Sequence, residues 1–321
     1  MGKSKQQKRP RFRRQPDRTL RLQSRDHEII RQVYKHRFLN SEQIAALATG
    51  SYQGVLRRLN LLFHNSYLDR PTEQIKPFNQ AASPMVYGLG NKGADFLASK
   101  YGLDRAKIDW TQKNKGVRHA YLDHALLVSK FMVSLELAVK QVKNLKLIEQ
   151  GTIVSNMKKK GEYNPLSWCV PCRISLGNKI MDRLVYVMPD RVFGLYFCDE
   201  PKSRNRSYFF LEADRATMPV KRNSVYSSSF QKKMIGYYES WKNSLFRDVF
   251  GFPSARVLTI TKSHDRINNM INAGKDIDPR GKGLRLFLFL REKEINMRKP
   301  ETLLNRIWRT GRGQSLVSLL D

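Results

Sequence analysis

Three carboxylates stand inside two apolar runs: Pro189-Asp190 in LVYVMPDRVFGLYF, and Glu212-Ala213-Asp214 in SYFFLEADRAT. Each run reads as a strand, with a polar loop between them. Residues two apart in a strand point to one face. Glu212 and Asp214 are therefore expected to project together between buried apolar positions. If the two strands pair, Asp190 arrives beside them. Three carboxylates in a half-buried site repel one another, and unpaired ions are costly to bury. A divalent cation with hard oxygen ligands, Mg²⁺ (or Mn²⁺), relieves that repulsion. Asp190, Glu212 and Asp214 are thus candidate metal ligands and catalytic groups. The competing reading is an ordinary Pro-Asp turn and an acidic strand end paired with Arg183, Arg191 or Arg215.

Other chemistries find less support. None of the six histidines shows the alternate-position spacing of a histidine metal cluster; His119 and His124 are five apart. Tyr237-Tyr238 invites a covalent-nucleophile reading, but adjacent helical residues diverge, so one is expected in the core and the other exposed. Cys169-Val-Pro-Cys172 with Cys198 supplies three of four zinc ligands and nothing completes the set. There is no GxxxxGK[ST] loop, so ATP is not indicated.

The elements that must position the carboxylates follow from patterning. The chain has 321 residues and 40% hydrophobic content, enough for two or three domains. Its 59 Lys+Arg against 28 Asp+Glu give a net charge of +31, which points first to nucleic acid as partner. No apolar run has the length of a spanning helix, and the basic N-terminus lacks the apolar core of a secretory signal. No membrane insertion is expected. Three cysteines argue for a reducing cytoplasm and against a disulfide framework.

Residues 1–23 read as a disordered basic arm that contacts phosphates. Residues 24–104 read as three helices, a strand, a polar loop and a second strand, the order of a winged helix-turn-helix. Ser24 is the expected cap of the first helix, and Asn40 with Gln43 forms a capping box for the second. The third helix, about 52–65, turns Val55, Leu59 and Leu62 inward and Tyr52, Gln53, Arg57 and Arg58 outward, where they would read base edges of double-stranded DNA. Lys76 in the wing would touch a backbone phosphate. A linker is expected at 105–118. The span 119–292 reads as a long buried helix, about 121–143, followed by a mixed sheet of about five strands. Residues 293–321 read as a tail with a short amphipathic helix carrying Leu303, Leu304, Ile307 and Trp308. The fold class is α+β / α/β.

Helix–strand–strand–strand–helix–strand, with Pro-Asp ending the second strand and Glu on the third, resembles the PD-(D/E)XK nuclease fold. The resemblance implies metal binding by Asp190 and Glu212. Asp214 stands where that family carries a water-activating lysine. The resemblance therefore implies either a third carboxylate ligand or a cation from elsewhere, with Arg215 next door and Lys232 or Lys233 on the following helix as catalytic candidates. With the winged-helix segment (RDHEIIRQVYKHRFLNSEQIAAL, LRRLNLLFHNSYLDR, VYGLGNKGADFL) added, residues 25–262 resemble the replication-relaxation family, including its MOBC-class conjugative relaxases. That implies a metal-dependent endonuclease of a plasmid or mobile element. It would nick its own origin without a covalent tyrosine intermediate, alongside a coupling protein or other relaxosome or replication proteins. The alternatives are a non-catalytic DNA-binding accessory or regulator on the same scaffold, and an accessory that recruits partners through its C-terminal tail.

Overall fold

The computed structural model describes residues 10–15, 19–74, 83–108, 117–161, 164–176, 179–224, 226–313 and 315–321. The chain forms two compact units, 1–133 and 134–321. The division falls inside the long helix, not at the expected linker, much of which (109–116) lies outside the described residues.

The first unit contains α1 (Ser24–His36), β1 (Phe38–Asn40), α2 (Ser41–Leu47), α3 (Tyr52–His64), β2 (Leu68–Asp69), β3 (Val86–Leu89) and α4 (Asn91–Tyr101). Its strands form an antiparallel sheet in the order β1-β3-β2. Asn40 and Gln43 exchange side-chain to backbone hydrogen bonds at 2.8 Å, as their spacing predicts. At α1 the cap is Gln23, not Ser24; Asp26 in the first turn accepts from the Gln23 N–H at 2.7 Å. The described part of the N-terminal arm is tied down. Arg14 donates to the Phe63 carbonyl at 2.6 Å and to Ser66 Oγ at 2.8 Å, pairs with Asp69, and lies over the Phe63 ring. A guanidinium with that many acceptors is a fastening, so the expectation of a free arm fails for residues 10–15. The wing residue Lys76 lies outside the described residues.

The long helix α5 is His119–Gln141. Its first turns supply Leu122 and Ala125 to a small core with Phe38, Val86 and Val117 in the first unit, and Ser129 Oγ donates to the Phe38 carbonyl at 2.8 Å. Among the described residues no helix is long and apolar enough to cross a membrane.

The second unit continues with β4 (Leu145–Ile148), α6 (Gln150–Ser155), β5 (Trp168–Leu176), β6 (Lys179–Val187), β7 (Arg191–Phe197) and β8 (Arg206–Ala213). After these come α7 (Phe230–Lys242), α8 (Leu245–Phe250), β9 (Arg256–Thr261), α9 (His264–Ile277), β10 (Phe287–Arg291), β11 (Trp308–Thr310) and β12 (Leu316–Val317). The main sheet has seven strands, in the order β12-β11-β10-β9-β8-β7-β4. β8, β9 and β10 run parallel, while β4–β7, β7–β8, β10–β11 and β11–β12 are antiparallel. β5 and β6 form a separate two-stranded ribbon.

Several expectations are corrected here. The main sheet has seven strands where about five were expected, Leu145–Ile148 and Trp168–Leu176 are strands, and Gln150–Ser155 is a helical turn. The tail is not an amphipathic helix. Residues Pro300–Leu304 form a 3₁₀ turn, and β11 and β12 then extend the sheet, with Trp308 wholly buried. A three-residue strand beside a tight turn spaces its apolar groups much as a short helix does, which is why the pattern misleads.

The core of the second unit lies between the main sheet, α7 and the inner face of the ribbon. Trp168, Phe210, Tyr237, Phe246 and Phe250 meet there. Gly236 lets α7 approach the ribbon: a Cβ at that position would stand 2.6 Å from Val187 Cγ2. Only glycine permits that approach without displacing the helix.

Candidate functional site

Asp190 sits in the three-residue step, Met188 to Asp190, between β6 and β7. Its N–H donates to the Leu211 carbonyl at 2.9 Å and its Oδ2 accepts from the Ala213 N–H at 2.7 Å. The antiparallel pairing of β7 with β8 (Arg191 opposite Leu211) therefore fixes it at the end of β8 that carries Glu212. Glu212 is 2% exposed. Its Oε2 accepts from Lys233 Nζ at 2.5 Å and its Oε1 from Tyr237 Oη at 2.7 Å. Lys233 and Tyr237 are one turn apart on α7, so they share a face.

Burial pushes the Glu212 carboxyl above the usual range. Lys233 and Tyr237 pull against that shift, and the nearby Asp190 charge adds to it. Burial opposes the Lys233 charge, but Glu212 and Asp190 outweigh it and hold the ammonium above the ordinary lysine value. Tyr237, 1% exposed, has its phenol pushed well upward by burial and then by the Glu212 charge. It stays protonated and donates to Glu212, which makes it a poor nucleophile.

Asp214 is placed differently. Its carboxylate takes a fork from Arg266 of α9, Nε to Oδ2 and Nη2 to Oδ1, both 2.9 Å, and Oδ2 also accepts from Thr261 Oγ1 at 2.6 Å. A bidentate guanidinium occupies the oxygens a metal would need. The expected three-carboxylate metal site is not assembled: among the described residues no group of three or more His, Cys, Asp or Glu is arranged to hold an ion. Asp190 and Glu212 are the pair that could hold a hard cation. They offer only oxygen donors and lie close enough for Asp190 to raise Glu212. Thr259 stands in register with Glu212 on β9, and its buried hydroxyl has no hydrogen-bond partner among the described residues. This set fits Mg²⁺, which binds through one or two carboxylates and keeps several waters.

Lys232 does not join the site. Consecutive helical residues diverge by about 100°, and Lys232 lines a cavity of ≈ 180 Å³ with Arg173, Arg222 and Glu239. Sequence reasoning missed Tyr237 as a partner of Glu212, and it missed Arg266 and Thr261. The i,i+4 spacing of Lys233 and Tyr237 was the available signal for the first. Nothing local links Arg266 to a residue 52 positions away. The cysteines do not form a zinc site. Cys169 and Cys172, three apart on an extended strand, face opposite sides, the first exposed and the second buried. Burial pushes the Cys172 thiol up to about 12. A thiol reagent at neutral pH is expected to modify Cys169 and Cys198 quickly and Cys172 only on unfolding; mass mapping of the labelled chain checks this.

In the first unit, Tyr52, Gln53 and Arg57 of α3 are exposed, but Arg58 is not free to read a base. Its side chain is only 14% exposed, and Nε donates to Asp26 Oδ1 at 2.8 Å while Nη2 pairs with Oδ2. Nη2 also donates to the Arg21 carbonyl at 2.9 Å. Asp26 is fully buried, so removing Arg58 leaves an uncompensated charge. Arg58→Ala is expected to destabilise this unit by about 3–5 kcal/mol in urea unfolding. Arg57→Ala should stay within about 0.5 kcal/mol.

The family model described as replication-relaxation covers residues 30–251. No curated protein and no solved structure matches.

Proposed function

The chain belongs to the replication-relaxation family, and on that premise we propose that it binds double-stranded DNA at the origin of a plasmid or mobile element and nicks one strand there. The reading joins a family associated with replication to a winged-helix-like first unit and a nuclease-like order of elements around Asp190 and Glu212. The observation that carries it is Lys233 on Glu212 beside Asp190. A cation arriving from α7 takes the place that Asp214 denies to the expected lysine.

The roles follow from the contacts. Asp190 and Glu212 would hold the divalent ion, Mg²⁺ or Mn²⁺. When bound, such an ion polarises a phosphodiester and supports hydrolysis by water. Tyr237 fixes the Glu212 carboxylate in one orientation. Lys233 places a positive charge where negative charge grows on the phosphoryl oxygens, and being protonated it can donate to the departing oxygen. Arg266 withdraws Asp214 and anchors the end of β8. Tyr52, Gln53 and Arg57 on α3 would hold the duplex in register, and a coupling protein or other replication protein is the expected companion.

The test is conversion of supercoiled plasmid carrying the cognate origin to open circles, with Mg²⁺. Open circles that disappear with Glu212→Gln support the reading. A second reading, a DNA-binding accessory without chemistry, is favoured by the engagement of both Glu212 oxygens by protein donors. It predicts no nicking and full biological activity in Asp190→Ala and Glu212→Ala.

A further inference from the structure

Where α7 ends, the chain turns sharply beside a cavity of ≈ 300 Å³. Ser244 makes the turn, in the left-handed region at φ 58°. On one continuous helix Lys242 and Arg247 would point about 140° apart. The turn instead brings both to the cavity, Lys242 from the last turn of α7 and Arg247 from α8. The apolar lining is Trp241, Phe246 and Pro253. Phe246 belongs to the core, while Trp241 is 40% exposed. One edge of the indole lies against Gly283, where a Cβ would stand 2.9 Å from Cζ3, so the ring is held in place with the rest of its surface open. The charged lining is cationic. Arg247 is exposed and makes no ion pair among the described residues. Lys242 reaches only Glu239 one turn back, at 3.6 Å, a surface pair of little strength. Among the described residues no carboxylate lines this cavity, whereas Glu239 and Asp276 line the one beside Lys232.

We infer that this cavity binds a nucleotide, its base on the indole of Trp241 and its phosphate between Lys242 and Arg247. Each part of the lining matches a part of that ligand. An aromatic surface accepts any base by stacking. A lysine and an arginine with no carboxylate between them select an anion. The volume lies at the lower end of the range for small-molecule sites, about 300–1,000 Å³, which suits a single nucleotide. A net charge of +31 draws nucleotides and nucleic acid to the chain. The ligand is a free nucleotide or an unpaired nucleotide of DNA, since a duplex keeps its bases inside. Trp241 stands two turns beyond Lys233 on α7, about 12 Å along the axis. This site needs no metal and no cut strand, so it stands or falls independently of the nicking reading.

The experiment titrates the full chain with thymidine and dTMP, read by tryptophan fluorescence, and with labelled oligo-dT and a duplex of equal length, read by anisotropy. Wild type is compared with Trp241→Ala and with Lys242→Ala/Arg247→Ala. All three side chains are exposed, so the thermal midpoints should hold; if Trp241→Ala fails to fold, the double variant decides. In the wild type dTMP is expected to quench the fluorescence and to bind about tenfold more tightly than thymidine, and its affinity to fall about tenfold in each variant. The same loss on oligo-dT, with duplex affinity within about twofold, identifies unpaired DNA as the source. Loss on dTMP alone identifies a free nucleotide. Unchanged affinity for both in the variants, or thymidine bound as tightly as dTMP, overturns the inference and leaves duplex binding and nicking standing. A phosphotyrosine peptide that binds more tightly than dTMP and oligo-dT assigns the cavity to a protein partner and also overturns it.

Discussion

Lys233→Met is expected to reduce origin nicking by roughly 10²–10³-fold, the scale of losing one positioned proton donor. The same variant leaves Glu212 buried without its cation, which costs about 3–5 kcal/mol of stability. A double-mutant cycle separates the two effects. In Lys233→Met/Glu212→Gln the buried charge is gone, so stability should return toward wild type, which reads the stability effect alone because Glu212→Gln by itself removes nicking. If Lys233→Met, compared at equal folded fraction, nicks at the wild-type rate, Lys233 is structural. The pH profile gives a second signature. The Glu212 carboxyl lies above the usual range, through burial with Asp190 adding to it, so the acid limb of nicking should lie above the ordinary glutamate value. Asp190→Asn removes one raising charge and should move the Glu212 titration to lower pH, which carboxyl-resolved NMR can read even if nicking is abolished. The linkage signs differ within the pair. The raised Glu212 favours folding below its unfolded value, and that contribution is lost as pH rises through its folded value. The raised Lys233 favours folding below its unfolded value and loses that contribution only at alkaline pH, through its own raised value.

The parts of this site legible in the sequence are those fixed by local rules. Alternation in SYFFLEADRAT places Glu212 among buried residues, and Pro-Asp marks a strand end, although the run read as one strand is two, β6 and β7. The i,i+4 geometry of α7 limits which lysine can face the same side as Tyr237. The pattern does not say which cation each carboxylate meets. That depends on β8 and β9 running parallel, which brings Asp214 to Thr261 and to α9 with Arg266. Parallel pairing requires a crossover, here through α7 and α8, so its register is set by packing far from the residues concerned. The same limit explains Arg58: outward by helical period, it is taken by Asp26 from another helix. It explains the ribbon as well, where the alternation of β6 was visible but its partner β5 was hidden by Pro171 and the polar residues before it.

Trp308→Ala is expected to destabilise the second unit by about 3–5 kcal/mol, and removal of residues 300–321 to leave it unfolded or aggregated. Trp308 is fully buried, and its indole N–H donates to the Leu303 carbonyl at 2.8 Å. β11 pairs with β10 (Leu288 opposite Thr310, Phe289 opposite Arg309), and β12 covers β11. Truncation would bare β10, an edge rich in Phe and Leu, and such an edge recruits other strands. Loss of function in a tail deletion would then report lost folding and say nothing about recruitment of replication or transfer partners. The discriminating variants are at Leu316 and Leu320, which are 55% and 42% exposed. Leu316→Ser and Leu320→Ser should keep the urea midpoint, because neither side chain fills the core. If they abolish activity in the cell while DNA affinity and stability hold, the tail is a docking element as well as two strands of the sheet. If the 300–321 deletion itself keeps the wild-type midpoint, β11 and β12 contribute nothing to the fold and the recruitment reading regains its original form.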